Sequence, residues 1–284
     1  MTTYKVSFVV VLVFLLLCPL VRADDSSIAG EKGKADTSQE NKWQFTFIPY
    51  LWLPSVDARA TVQGKTQKVK LTFSDILDNF DLFGIMGRFE AWKGNWGLIL
   101  DVLYADLDGD FRNSNPLLPS DPLLNELGVD IRQANVDFAL SYRLFKVPLR
   151  KEHHFPILTI APICGGRYTY LKQELTPTIK SVLTPKLGGS KDWMEPYIGS
   201  RIVLQITEKV SGSIRWDFGG FGIGSASTKT WNLAAAVGYR FSKRYQLGLG
   251  YQIYDTDYSN GSGNDKFGLD GRLYGPKIGL MYHF

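Results

Sequence analysis

Cysteine and histidine are scarce in this sequence. Only Cys18 and Cys164 occur among 284 residues, far apart, and Cys18 lies inside an apolar run near the start. That excludes a disulfide scaffold and a cysteine-based zinc site. Three histidines, His153, His154 and His283, leave little material for a histidine metal cluster, and no cofactor is expected. An excess of one charge is also missing: 32 Lys and Arg stand against 28 Asp and Glu, a formal net of +4. The chain therefore has no electrostatic footprint for nucleic acid. Long hydrophobic runs are confined to the N-terminus and mean hydropathy is −0.10, which excludes a bundle of membrane helices.

The N-terminal run has the layout of a secretory signal peptide over residues 1–23. Lys5 gives a positive start, Phe8 to Cys18 is unbroken apolar chain, and Val21-Arg22-Ala23 places small residues before Asp24. The run is too short to span a bilayer. Lipoprotein processing at Cys18 competes, but Leu17 precedes the cysteine where a small residue is wanted. Cleavage after Ala23 removes Lys5 and Arg22 and brings the formal charge to +2. Residues 24–42 are polar without an apolar period and read as a flexible periplasmic segment.

From Trp43 to Phe284 the pattern becomes strict alternation. Tyr245, Leu247, Leu249, Tyr251 and Ile253 share one face; Gln246, Gly248, Gly250 and Gln252 share the other. Trp96–Tyr104, Trp231–Phe241 and Tyr274–Phe284 repeat the pattern, which is that of strands. Short links such as Lys93-Gly94-Asn95, Thr207-Glu208-Lys209 and Ser242-Lys243-Arg244 alternate with long ones near 54–81, 106–128, 174–191, 220–228 and 256–268. Tight turns at one end and loops at the other are what antiparallel neighbours give. The spacing predicts an all-β, antiparallel up-and-down barrel of about 10 strands (8–12). These lie near 43–53, 82–92, 95–105, 129–144, 155–170, 194–206, 210–219, 229–241, 244–255 and 271–284. A small hairpin, 58–62 with 68–73, and a helical turn over Ser74–Asn79 fall in the first long link. If the hairpin joins the wall, the count becomes twelve.

Alternation alone does not say which face is inside. The non-aromatic face carries Gly, Ala, Ser, Asn and Gln with isolated charges, which fits a crowded lumen. The bases assigned to it are Arg88, Arg143, Arg167, Arg201, Arg215, Arg240 and Lys277; the acids are Glu90, Asp101, Asp137 and Asp217. Aromatic residues crowd the strand ends, among them Trp43, Trp52, Trp92, Trp96, Tyr142, Trp193, Tyr239, Tyr245 and Tyr282, where membrane interfaces collect them. Strands of about 10–13 residues suit a tilted membrane crossing. A secreted soluble barrel would instead expose Lys and Glu on its outer face. Charges in a lumen of this size must be paired or hydrated, so a belt of Arg–carboxylate contacts is expected, with bases in excess.

The chain ends in Tyr282-His283-Phe284. A terminal Phe with an aromatic residue two places earlier resembles the assembly signal of Gram-negative outer-membrane barrels. Tyr50-Leu51-Trp52, Phe73-Ser74-Asp75, Asn95-Trp96-Gly97, Gly219-Gly220-Phe221-Gly222-Ile223-Gly224-Ser225 and Gly238-Tyr239-Arg240-Phe241 resemble, in their order, a largely uncharacterised, porin-like family of proteobacterial outer-membrane barrels. The resemblance covers about residues 43–284. It implies an outer-membrane location, contact with membrane lipid, and handling by the barrel-assembly machinery, with Tyr282 and Phe284 as the signal.

Chemistry for catalysis is thin. His153 and His154 fall in a short turn and His283 at the periplasmic end, so no Ser–His pair is expected on the loop side and the chain reads as a non-enzyme. The glycines of 219–224 open no helix, which makes a phosphate cradle improbable. Asp255, Asp257, Asp265 and Asp270 read as solvated loop charges rather than ligands of a hard cation. Two roles remain open: a narrow porin-like channel passing small anions, or a structural or surface barrel. Uptake of a small apolar molecule past the apolar Pro116–Leu124 loop is the alternative, and a barrel lipase or protease a weaker one.

Overall fold

A computed structural model of the chain describes residues 42–62, 64–112, 124–150, 154–179, 182–183, 187–224 and 227–284. The signal peptide, the segment up to residue 41 and most of the Pro/Leu loop lie outside them. The strands are β1 (Trp43–Trp52), β2 (Ser55–Val62), β3 (Lys65–Leu71), β4 (Asp81–Lys93), β5 (Trp96–Arg112), β6 (Leu124–Tyr142) and β7 (Phe145–Pro148). They continue with β8 (Ile157–Ile179), β9 (Val182–Leu183), β10 (Leu187–Gln205), β11 (Val210–Gly220), β12 (Lys229–Arg240), β13 (Tyr245–Asn260) and β14 (Phe267–His283). One helix, α1 (Phe73–Asn79), lies between β3 and β4.

Ten of these strands close a ring in the order β1-β4-β5-β6-β8-β10-β11-β12-β13-β14, with β14 returning to β1. All neighbours are antiparallel. A walk across the pairings from Thr46 passes Glu90, Ile99, Ala139, Gly165, Tyr197, Gly219, Thr230, Thr256 and Gly271. It returns at Ala58 of β2, which prolongs β1 along β14, twelve residues beyond Thr46. Such a stagger over ten strands tilts them by about 40° and sets a backbone radius of roughly 10 Å. At that radius, long side chains from opposite walls meet near the axis.

The hairpin of the first long link does join the wall, without adding to the ring. β2 continues the register of β1 along β14, through Ser55↔Tyr274 to Thr61↔Gly268, and β3 folds back on β2. The count therefore stays at ten, with a local two-strand extension at the loop end. Helix α1 begins at a capping box: the Asp75 backbone N–H donates to the Thr72 hydroxyl, and the Thr72 N–H donates to the Asp75 carboxylate. The Thr72 hydroxyl also donates to that carboxylate. These bonds hold the Asp75 carboxyl below its usual range.

The links expected at 106–128, 174–191 and 256–268 are shorter than their pattern suggests. β5 runs to Arg112, β8 to Ile179, and β13 and β14 meet across residues 261–266. The alternation of these strands does not keep one polarity, because their facing rule reverses along their length. Near the turn end, Leu98, Leu100, Phe138, Leu140, Leu249 and Ile278 point outward and are exposed. Further along the same strands, the outward positions become Asp106, Arg132, Asp130, Lys172, Asp255 and Arg272. These form the ion pairs Arg132–Asp106, Lys172–Asp130 and Arg272–Asp255. The inward positions there become Leu107, Val129, Ile131, Leu171 and Phe267. One barrel thus has two tiers: apolar outside and polar inside where it meets lipid, polar outside and apolar inside where it stands in water.

Candidate functional site

In the membrane tier a single row of interior charge crosses five neighbouring strands. Arg88, Asp101, Asp137, Arg167 and Glu195 are successive register partners on β4, β5, β6, β8 and β10. Each strand contributes because its inward parity falls on a charged residue. Arg88 Nε donates to Asp101 at 2.6 Å, and the Tyr50 hydroxyl donates to the other Asp101 oxygen at 2.6 Å. Arg167 grips Asp137 with two bonds of 2.8 and 3.0 Å and reaches Asp217 on β11 at 2.9 Å. Its third carboxylate, Glu195, lies at 3.5 Å, and its guanidinium sits 4.9 Å from the centre of the Tyr197 ring and 5.1 Å from that of Tyr254. The Arg167 side chain is 3 % exposed, and those of Glu195 and Asp217 are 0 % exposed.

The remaining candidates surround that knot. Arg201 and Arg215 are direct register partners on β10 and β11, a like-charge pair that would repel if both pointed the same way. They part: Arg201 crosses the bore to Glu90 at 2.6 Å, and Arg215 turns to Asp217 at 3.2 Å and Asp137 at 3.7 Å. Asp217 also accepts from Asn232, which accepts in turn from Gln252. Lys277 donates to Gln252 and stands 3.5 Å from the centre of the Tyr50 ring, with no carboxylate partner among the described residues. Arg143 lies just past the end of β6, donates to the Gly94 carbonyl and covers the Trp92 ring at 4.0 Å. Arg240 closes β12 at the turn end with its buried Nε unpartnered.

Residues that the sequence reading missed complete the interior. Glu195 accepts from Ser227 and Thr230, although its parity on β10 matches that of Arg201. Trp52, Trp92 and Trp193, expected in the interface girdles, point inward and are buried. Trp92 has the parity of Arg88 and Glu90, and its indole N–H donates to Glu90 at 3.0 Å. The outward girdle at the turn end consists of rings such as Trp43, Trp96 against Tyr142, and Tyr245 against Tyr282. In the outer tier Trp193 stacks on Tyr258 at 3.9 Å, and both pack with Leu171 and Phe267. β8 and β14 stand on opposite sides of the ring, so this cluster spans the bore. Ile76 and Phe80 of the α1 region pack on the inward Leu107 and Val129 beside it. A cavity under the cluster, lined by Trp193, Tyr254 and Thr256, has a volume of about 10 Å³, space for one water.

A closed ring, an apolar outer belt and a charged interior satisfy the two demands of hydrocarbon: no unpaired sheet edge and no charge facing lipid. The protein is a membrane-spanning β-barrel. No protein-family model matches the sequence and no curated protein matches it. Among solved structures, the chain is similar to the outer membrane protease OmpT from Escherichia coli, with 10% identity over 89% of this chain and 99% of that one and a TM-score of 0.49. It is similar also to Neisserial surface protein A, with 11% identity, coverage of 85% and 97% and a TM-score of 0.29. The Pseudomonas putida toluene transporter TodX gives 9% identity, coverage of 85% and 90% and a TM-score of 0.31. These names describe a protease, a surface protein and a transporter, and likeness at this level concerns the course of the chain and none of those activities.

Proposed function

We propose that this barrel is a structural, surface-displaying protein of the outer membrane rather than a conducting pore or an enzyme. Its membrane tier anchors the chain and its outer tier stands as a rigid platform above the lipid. The observation that carries this reading is the Arg167 knot. One buried guanidinium serves carboxylates on β6, β10 and β11, and the aromatic cluster of Trp193 and Tyr258 lies beyond it along the bore. Ten strands fall between the filled eight-strand barrels and the water-filled sixteen-strand porins, and here the side chains favour the filled kind.

The test is planar-bilayer recording on protein verified as folded by heat-modifiable mobility. Wild type is expected to show no steady conductance, and Arg167→Ala with Arg215→Ala to open measurable steps. Stable wild-type channels with anion preference, reduced by the same changes, would replace this reading with a narrow porin-like pore. The bases without carboxylate partners, Lys277 and Arg240, are the observation that favours that second reading.

A further inference from the structure

The turn-end mouth of the bore holds a group of charges that the central knot does not use. Arg143 from just past β6, Arg201 from β10 and Arg240 from β12 reach it, and among the described residues the carboxylate bonded there is Glu90, held by Arg201. Glu90 is already engaged twice, by Arg201 and by the Trp92 indole. Arg143 and Arg201 both lie over the Trp92 ring, at 4.0 and 5.6 Å from its centre, and Glu90 and His283 flank Thr46 in register on the two neighbouring strands. Arg240 makes no side-chain hydrogen bond or ion pair with any described residue, yet its Nε is buried. The His283 ring bonds Thr46 through Nδ1 at 3.0 Å, which leaves its buried Nε2 without a partner. Among the described side chains, Arg240 and Arg143 have no carboxylate bonded to them, and a buried donor such as Arg240 Nε is costly unless something accepts from it.

The geometry points to a binding site for a small oxyanion in this vestibule, entered from the turn end and held chiefly by Arg240 beside the His283 ring. A planar guanidinium donates two parallel bonds to phosphate or carboxylate oxygens, and the unpartnered Nε of Arg240 belongs to such a fork. Arg201, locked on Glu90, closes the inner side. The neighbouring turns add Lys209, Lys243 and Arg244 against Glu208, a field that attracts anions to this end. The site rests on the facing of the strands and not on whether the bore conducts.

The probe is inorganic phosphate, titrated calorimetrically into full-length folded protein in phospholipid-free maltoside micelles at low salt. Saturable one-to-one binding is expected, weakened about tenfold by Arg240→Gln, the loss of one charge-assisted pair. Arg240→Lys should retain part of it, and Arg272→Gln, at the far end of the barrel, all of it. If Arg240→Gln does not fold, Arg240→Lys and His283→Ala decide in its place. A phosphorus assay on the delipidated protein separates free phosphate from a retained lipid headgroup; lipid phosphorus that phosphate cannot displace would overturn the soluble-anion assignment. So would absence of saturable binding, equal loss in Arg272→Gln, or wild-type affinity in the folded Arg240 and His283 variants.

Discussion

Arg167 shows what a single residue must do in a filled barrel. Its guanidinium offsets the desolvation of three carboxylates at once, of which Glu195 and Asp217 are fully buried. Breaking a buried pair by removing one partner costs about 3–5 kcal/mol, because the other charge stays buried. Arg167→Met should therefore lower stability by about that amount in urea unfolding monitored by tryptophan fluorescence in micelles. Arg167→Lys should recover part of the loss, since an ammonium supplies charge without the fork that grips Asp137. A change under about 1 kcal/mol for Arg167→Met would mean that the three carboxylates are hydrated and the knot braces nothing. Gly199 makes a different contribution: a Cβ there would come within 2.1 Å of the Trp216 carbonyl oxygen, so the close approach of β10 and β11 beside Asp217 requires its absence.

Strand β13 carries both tiers in one element and so tests the reversal of facing. Leu249 and Asp257 share its outward side, but Leu249 is 56 % exposed in the lipid belt and Asp257 lies beyond it. Leu249→Arg should cost up to about 2–4 kcal/mol, the penalty for a charge near the bilayer midplane. Asp257→Arg should stay within about 0.5 kcal/mol, as at ordinary surface positions. Equal costs, measured by equilibrium unfolding in lipid vesicles, would remove the boundary between tiers. The last strand makes a second test. The Phe284 N–H donates to the Phe45 carbonyl and its ring lies edge-on to Tyr282 at 4.7 Å, so the terminal residue contributes one backbone bond and one ring contact. Its deletion should nevertheless cut the membrane-inserted, heat-modifiable fraction in cells sharply, if the terminal aromatic pair is what the assembly machinery reads. Unchanged insertion would leave Phe284 as ordinary wall.

For the whole molecule, closure of the ring does not depend on the β2–β3–α1 excursion. β1 pairs β14 on one side and β4 on the other, and the excursion only extends that wall upward. Replacing residues 55–79 with a short Gly/Ser link should leave a folded, heat-modifiable ten-strand barrel. The midpoint of thermal unfolding should fall, because Ile76 and Phe80 no longer cover Leu107 and Val129. Loss of folding would show that closure needs the extension.

Period-two alternation from Trp43 onward and the rhythm of short and long links were enough to predict strands, antiparallel neighbours and ten crossings, because a side chain's face in a strand follows from its parity alone. The same parity placed Arg88, Asp101, Asp137, Arg167, Arg201, Arg215 and Lys277 inside. The same parity puts Glu195, Trp92 and Trp193 inside as well, whatever their residue type. Partners were not legible. Arg201 faces Arg215 in register, yet bonds to Glu90, 111 positions away in the chain, because closure of the ring and its stagger decide which walls confront each other. The ends of the strands were hidden for a related reason. A sequence shows alternation, but whether the outward face meets lipid or water depends on height in the barrel, and only the tertiary structure sets that height.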